Sequence, residues 1–292
     1  MMFGDIKYSE INSLLNERFK EKKVLIAQHR GAKCGNVVEN TLLAYRVSEM
    51  LGADMFEADI SISADGVLYC FHDTTEDKNL RVHTNIENFS SAAIDEFGQY
   101  NSIWEPSGYK VERFEYLLDN LAGRELFNID RAWDKFDEVF AVMSKYPSAV
   151  RQAILKAPVK DEYLKKFDEH PIKYMFMPII KSAQDIQIAK QYKNINIVGY
   201  ELIVRSEDDK LYSDELISQL HSEGAFVWIN AITLSGLKKH EMSAGHGDNV
   251  SLECGFDKGW GALIDKGIDI IQTDWPELLS QYRDKKFKGG NR

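Results

Sequence analysis

Apolar positions along this chain recur with two periods that take turns. Short apolar runs fall at 24–29, 54–60, 126–130, 149–155, 173–180, 195–203, 225–230 and 268–273. Between most of them, apolar residues return at three- and four-residue spacing, over 40–51, 112–122, 134–146, 160–168, 182–192, 213–223 and 258–266. A short run flanked by turn residues reads as a buried strand, and the longer spacing as an amphipathic helix. Eight strands almost all separated by helices predict an α/β fold closed as a (β/α)8 TIM barrel rather than an open sheet. No G-x-G-x-x-G follows any strand, which also weighs against a nucleotide-binding sheet. Residues 8–21 (YSEINSLLNERFKE) read as a helix able to plug the bottom of the barrel.

One interruption breaks the alternation. Asp65-Gly66 is a hairpin signal that folds an arm at 67–72 back along the second strand. From Thr74 to Lys110 the pattern loosens, with Phe97, Trp104 and Tyr109 scattered among polar residues. This segment reads as an excursion over the barrel mouth with one short helix near 90–97. The whole chain, 1–292, is thus expected to form a single barrel domain.

Composition narrows the class. A content of 44% hydrophobic and 11% aromatic residues supports a packed core, and no repeat or low-complexity stretch occurs. The first twenty residues lack an apolar signal core and the longest apolar runs are too short to cross a bilayer. Three cysteines without CxxC spacing read as free thiols, and a cytoplasmic location is the expectation. A net charge of −10 argues against nucleic acid as a partner. The basic run 283–288 reads as a solvated end, and His83, His170, His221, His240 and His246 as surface residues.

Chemistry concentrates between Ile26 and Asp73. The first strand delivers His29-Arg30-Gly31, and a helix follows Glu39-Asn40-Thr41. In the second strand, Glu57 and Asp59 share one face because side chains alternate. Folding about Asp65-Gly66 brings His72-Asp73 opposite them. Two same-face carboxylates in an otherwise buried run need a cation to offset burial and repulsion, and oxygen ligands suit Mg²⁺ or Ca²⁺. Asp130 ends the third strand as Asp59 ends the second, which makes it the third candidate ligand. The segment 231–257 is long for a barrel loop and carries His240, Glu241, His246 and Asp248; it reads as a lid or plain loop ahead of a second metal site.

The ordered series HRG, ENT, G-A-D-x-x-E-x-D and D-G-x-L-x-x-x-H-D resembles the glycerophosphodiester phosphodiesterase family, and fainter similarity continues through Asn128-Ile129-Asp130 and Val227-Trp228-Ile229-Asn230 to the GIDIIQTD run at 267–274. The resemblance implies a TIM barrel with a metal-dependent site. It departs at strand 3, where the family has glutamate followed two residues later by lysine and this chain has Asp130 and Ala132. Aspartate there is similar to the sphingomyelinase-D-type enzymes, which share the barrel and the histidine pair.

The expected reaction is hydrolysis of a small phosphodiester, with one divalent cation, Mg²⁺ or Ca²⁺, on Glu57, Asp59 and Asp130. His29 and His72 serve as acid and base in an order left open, and Arg30 grips phosphate bidentately. Lys156, at the end of the fourth strand, is expected to supply the charge missing at 132, and Trp228 to meet a glycerol or alcohol moiety. Two rivals stand beside this reading: a lysophospholipid or sphingolipid phosphodiesterase, and a non-catalytic phosphodiester- or polyol-binding barrel.

Overall fold

The computed structural model describes residues 3–234 and 242–288. Eight parallel strands close into a barrel: β1 (Leu25–Gln28), β2 (Met55–Ile62), β3 (Leu126–Asp130), β4 (Ala153–Pro158), β5 (Met175–Ile180), β6 (Gly199–Leu202), β7 (Phe226–Asn230) and β8 (Ile270–Thr273). Each pairs with the next, and β1 closes the ring by pairing with both β8 and β2. The alternation of apolar strands and amphipathic helices therefore yields the (β/α)8 barrel it predicts.

Inward-facing residues change character with height. Leu25 and Ala27, Met55, Leu126, Ile154, Met175 and Met177, Phe226 with Trp228, and Ile270 form one apolar cluster. One or two inward positions further along, the strands carry His29, Glu57 and Asp59, Asn128 and Asp130, Lys156, Glu201, Asn230, and Gln272 with Asp274. A packed apolar floor beneath a polar ring follows directly from the period of two. Below the floor the helix Ser13–Lys22 buries Leu15, and Phe3 stacks on Phe226 with ring centroids 3.9 Å apart, so the expected plug is present.

Three boundaries differ from the sequence reading. Residues 149–152 form a helical turn, Ala149–Gln152, and β4 begins only at Ala153 and runs through Pro158. Arg151 is too polar for a strand buried on both faces, whereas proline is tolerated at a strand end where no ladder N–H is needed. The excursion holds a hairpin, Gly98–Tyr100 with Pro106–Lys110, besides the short helices Glu76–Asn79 and Ser91–Ile94. Its own small core is Tyr69, Phe71, Leu80, Ile86, Ile94 and Val111. Within 231–257 a helix, Asp248–Cys254, follows the undescribed stretch that contains His240 and Glu241.

The basic run at 283–288 is not simply solvated. It belongs to the helix Pro276–Lys288, and Arg283 is buried, ion-paired with Asp54 and donating to the Val24 carbonyl at 2.9 Å. His83 is exposed as expected, but His170 packs against Phe140 and Tyr174, and His221 bonds Asp269 at 2.9 Å. All three cysteines are free. Among the described residues no helix is long and apolar enough to cross a membrane.

Candidate active site

The site begins where β1 ends. Arg30 and Asn40 take left-handed backbone conformations, φ 58° and 56°, which swing the chain over the barrel mouth. Gly31 is required there, because its φ is +69° and an added Cβ would lie 2.8 Å from the Ala44 Cβ. The Arg30 N–H donates to Glu57 Oε2 at 2.7 Å, and the Asn40 N–H donates to the Arg30 carbonyl at 2.8 Å. Asn40 then grips Asp59 twice: its Nδ2 donates to Asp59 Oδ2 at 3.0 Å, and its Oδ1 accepts from the Asp59 N–H at 3.1 Å. The loop motifs and the β2 carboxylates thus lock one another in place.

The Arg30 guanidinium faces acids on two sides. Its Nη1 donates to Glu39 Oε1 at 3.3 Å, and Nε stands 3.1 Å from Asp59 Oδ2 as an ion pair. Burial opposes ionisation of Asp59, yet Arg30, His72 and the Asn40 amide together hold its carboxyl below the usual range. Glu57 goes the other way. Burial, and then the negative charges of Asp59 and Asp130, push its carboxyl well up. Asp130 is raised to about 6 by burial and Glu201, with Lys156 opposing. Its Oδ1 accepts the N–H of Arg131, another left-handed residue, at 2.7 Å.

The register explains why these acids meet. Asp59 lies level with Asp130 across the β2–β3 ladder, and Glu57 level with Asn128. The structure therefore brings together the three carboxylates that the sequence singled out. Their donor set is that of a hard divalent cation, and the raised Glu57 carboxyl records a repulsion such an ion would relieve. Among the described residues no three such groups already stand at ligand spacing.

Both histidines border this cluster. His72 sits just past the arm Leu68–Cys70, and its Nδ1 contacts the Asp73 carbonyl. A carbonyl only accepts, so the neutral ring carries its proton on Nδ1 and leaves the Nε2 lone pair open. Burial lowers its pKa, with Asp59 pulling the other way. Asp73 is held in turn by Arg131, whose Nε donates to its Oδ1 at 2.9 Å. His29 Nδ1 lies 3.1 Å from Asp274 Oδ1 and 2.9 Å from Lys33 Nζ, and the ammonium is 3.0 Å from the same carboxylate. Burial and Lys33 lower the His29 pKa against the pull of Asp274. Burial also works against ionisation of Asp274, but His29 and Lys33 outweigh it and hold that carboxyl well below the usual range.

Lys156 and Trp228 lie deeper than expected. Both are fully buried, and Lys156 Nζ sits 3.2 Å above the centre of the Trp228 ring and 2.7 Å from Glu201 Oε2. Glu201 Oε1 accepts from Asn230 Nδ2 at 2.8 Å, and Trp228 Nε1 donates to Asn230 Oδ1 at 2.6 Å. Lys156 is thus neither a solvated lysine nor an open phosphate contact. It stands beside Asp130, one position past the Ile129–Leu155 pair of the ladder, and moderates that carboxyl.

Sequence reasoning missed Lys33, Asp274 and Glu201. Asp274 directly follows a buried strand, as Asp59 and Asp130 end theirs, and Glu201 interrupts an apolar run as Glu57 does; both signals were legible. Lys33 carried none, because a loop lysine declares its target only in three dimensions.

A closed barrel with acids, histidines and an arginine on its C-terminal rim has the architecture of a barrel enzyme. A model of the glycerophosphoryl diester phosphodiesterase family matches residues 29–228, and that of a domain of unknown function matches 176–283. A glycerophosphodiester phosphodiesterase from Caldanaerobacter subterraneus subsp. tengcongensis is 42% identical over 266 residues, 88% of this chain and 96% of the relative. A glycerophosphoryl diester phosphodiesterase from Parabacteroides distasonis superposes with TM-score 0.74 at 16% identity, over 98% of this chain and 94% of that one. An Oleispira antarctica phosphodiesterase, solved with the product sn-glycerol-3-phosphate, does so at 0.66 and 12%, over 91% and 99%. The chain belongs to the glycerophosphoryl diester phosphodiesterase family. Its class is that of the phosphoric diester hydrolases.

Proposed function

We propose that this chain hydrolyses glycerophosphodiesters to glycerol phosphate and an alcohol, using a divalent cation and the His29/His72 pair. The observation that carries the reading is the set of three acids, Glu57, Asp59 and Asp130, assembled on neighbouring strands, with Glu57 pushed towards neutrality by burial and then by the other two. Glu57, Asp59 and Asp130 would hold Mg²⁺ or Ca²⁺, which when bound supplies Lewis-acid polarisation of a phosphoryl oxygen. Arg30, fixed by Glu39 and Asp59, orients the phosphate.

The tautomer of His72, with its proton on Nδ1, suits it to accept a proton at Nε2 from the attacking nucleophile. That nucleophile is water or the adjacent hydroxyl of the substrate's own glycerol. His29 is then the group that delivers a proton to the departing alkoxide, and the Asp274 carboxylate at Nδ1 favours the charged ring this needs, against burial and Lys33. Lys156 acts from behind by tempering Asp130 through the Glu201 network. The test is turnover of a panel of glycerophosphodiesters with and without chelator. Release of glycerol phosphate that survives complete chelation overturns the metal-dependent reading, and the absence of any turnover overturns the hydrolytic one.

One observation favours a second substrate class. Ile103 and Trp104 at the hairpin tip are 59% and 57% exposed, the apolar rim expected of an enzyme for lysophospholipids. Preference for a lysophospholipid over its deacylated headgroup in the same panel decides between the two.

A further inference from the structure

Beside the histidine and arginine of β1 lies a second polar space. A cavity of about 250 Å³ opens between the loop after β1 and the excursion, walled by Lys33, Glu39, Lys78, Asn79, Tyr100 and Ser102 among others. The hairpin tip roofs it, tethered where Ser102 Oγ donates to the Gly35 carbonyl at 3.0 Å. Two of these walls are in direct contact with the catalytic dipeptide. Lys33 touches His29 Nδ1, and Glu39 accepts from Arg30 Nη1. A substituent on a phosphate held by Arg30 therefore has this cavity one residue away.

The charges in the cavity choose its occupant. Its carboxylate, Glu39, is buried and already committed on both oxygens: Oε1 to Arg30 Nη1 and to Asn79 Nδ2 at 2.9 Å, Oε2 to Lys78 Nζ at 3.3 Å. Burial opposes its ionisation, but Arg30, Lys78 and Lys33 overcome this and lower it to about 2. A cationic head entering here would find the acid spent. An anionic one would meet Lys78, whose side chain is 49% exposed and whose ammonium offers three donors with one on Glu39. It would also meet Lys33, 25% exposed, whose ammonium is shared with Asp274 and His29. This pair of cations stands out in a chain of net charge −10.

We propose that this cavity is the subsite for the variable alcohol of the substrate, and that it selects alcohols bearing an anionic oxygen group. The assignment rests on the hydrolytic reading above. Lys78 binds the anion, and Lys33 joins the filled subsite to the His29–Asp274 pair. The alcohol rather than the glycerol occupies it, because glycerol offers the ammonium groups only neutral hydroxyl acceptors and no opposite charge.

Three glycerophosphodiesters differing only in their alcohol test it: glycerate (anionic), glycerol (neutral) and choline (cationic). Wild-type kcat/KM is expected to fall in that order, by roughly tenfold from glycerate to choline, with most of the difference in KM, as one charge-assisted contact to a half-exposed ammonium provides. Lys78→Ala should remove most of that preference by raising KM for the glycerate diester, and Lys78→Arg, which keeps the charge beside Glu39, should restore it. A choline diester that is the best substrate, or a glycerate-to-choline ratio untouched by Lys78→Ala, overturns the proposal. If no diester is turned over, the hydrolytic reading falls instead, and the cavity is judged by calorimetry with glycerate alone. Binding that Lys78→Ala abolishes supports the subsite, and no binding overturns it.

Discussion

The two halves of the barrel rim carry the same kind of residue and handle it in opposite ways. On β1, β2 and β3 the ring holds His29, Glu57, Asp59 and Asp130; Asp59 lies level with Asp130, and burial together with these two charges drives Glu57 towards protonation. On β4, β6 and β7 it holds Lys156, Glu201, Trp228 and Asn230, where each charge faces an opposite charge, an amide or a ring. One half stores repulsion and the other resolves it. Polarity at the C-terminal rim is therefore a poor guide to chemistry by itself, and whether neighbours satisfy a group separates a reactive side chain from a structural one.

The comparison breaks first if the reactive half proves dispensable. His72→Ala and His29→Ala should each lower kcat by about 10²- to 10⁴-fold without unfolding the protein, measured with a diester of poor leaving group. Near-wild-type turnover in either variant would move the chemistry elsewhere.

The satisfied half should answer in stability. Lys156→Met leaves Glu201 buried opposite an apolar group and should cost about 3–5 kcal/mol in denaturant unfolding, whereas the double change Lys156→Met with Glu201→Leu should recover much of that. A single variant as stable as wild type would show the network to be ornamental.

Glu39 sits where the halves' two habits meet, an acid of the reactive half that is fully paired. Its folded carboxyl lies at about 2 against an ordinary 4.5. The sign follows: the folded state holds the ionised form more firmly, so this stability is present above about pH 4.5 and is lost as pH falls towards 2. The full difference is about 3 kcal/mol. Glu39→Gln should lower stability at pH 7 and flatten its decline on acidification, and an unchanged acid limb of the unfolding curve contradicts the pairing.

The smallest effect concerns the cation. Mg²⁺ or Ca²⁺ at about a hundred times its Kd should stabilise the chelated protein by about 2.7 kcal/mol, read as a rise in melting temperature. Asp130→Asn should abolish that rise. A rise that persists removes Asp130 from the ligand set.

The barrel was legible because strand and helix periods differ, and eight apolar runs count themselves. Glu57, Asp59 and Asp130 were legible because a carboxylate inside a buried run has to be explained. The excursion hairpin was not, since its strands show alternating exposure with no apolar face to mark them. Nor was the depth of Lys156. A lysine before Ala157-Pro158 reads as a strand end, and only the register with β5, which runs on from Lys156 opposite Met177 to Pro158 opposite Ile179, reveals that the strand continues and turns the side chain inward. Lys33 depends on Asp274, a partner far away in sequence, which no local pattern reports.

One remaining contact bears on the order in which the chain is made. Barrel closure between β1 and β2 rests on two residue pairs, against four between β1 and β8. Asp54, at the start of β2, accepts from the Ile26 N–H at 2.9 Å, and Arg283 of the last helix clamps both Asp54 and the Val24 carbonyl. During synthesis the first two strands leave the ribosome more than two hundred residues ahead of that arginine. Until it arrives, Asp54 is an acid without its cation at the seam of an open sheet. The seam between β1 and β2, on which the HRG-to-ENT loop is mounted, is thus completed by the helix Pro276–Lys288, made long after the strands it joins.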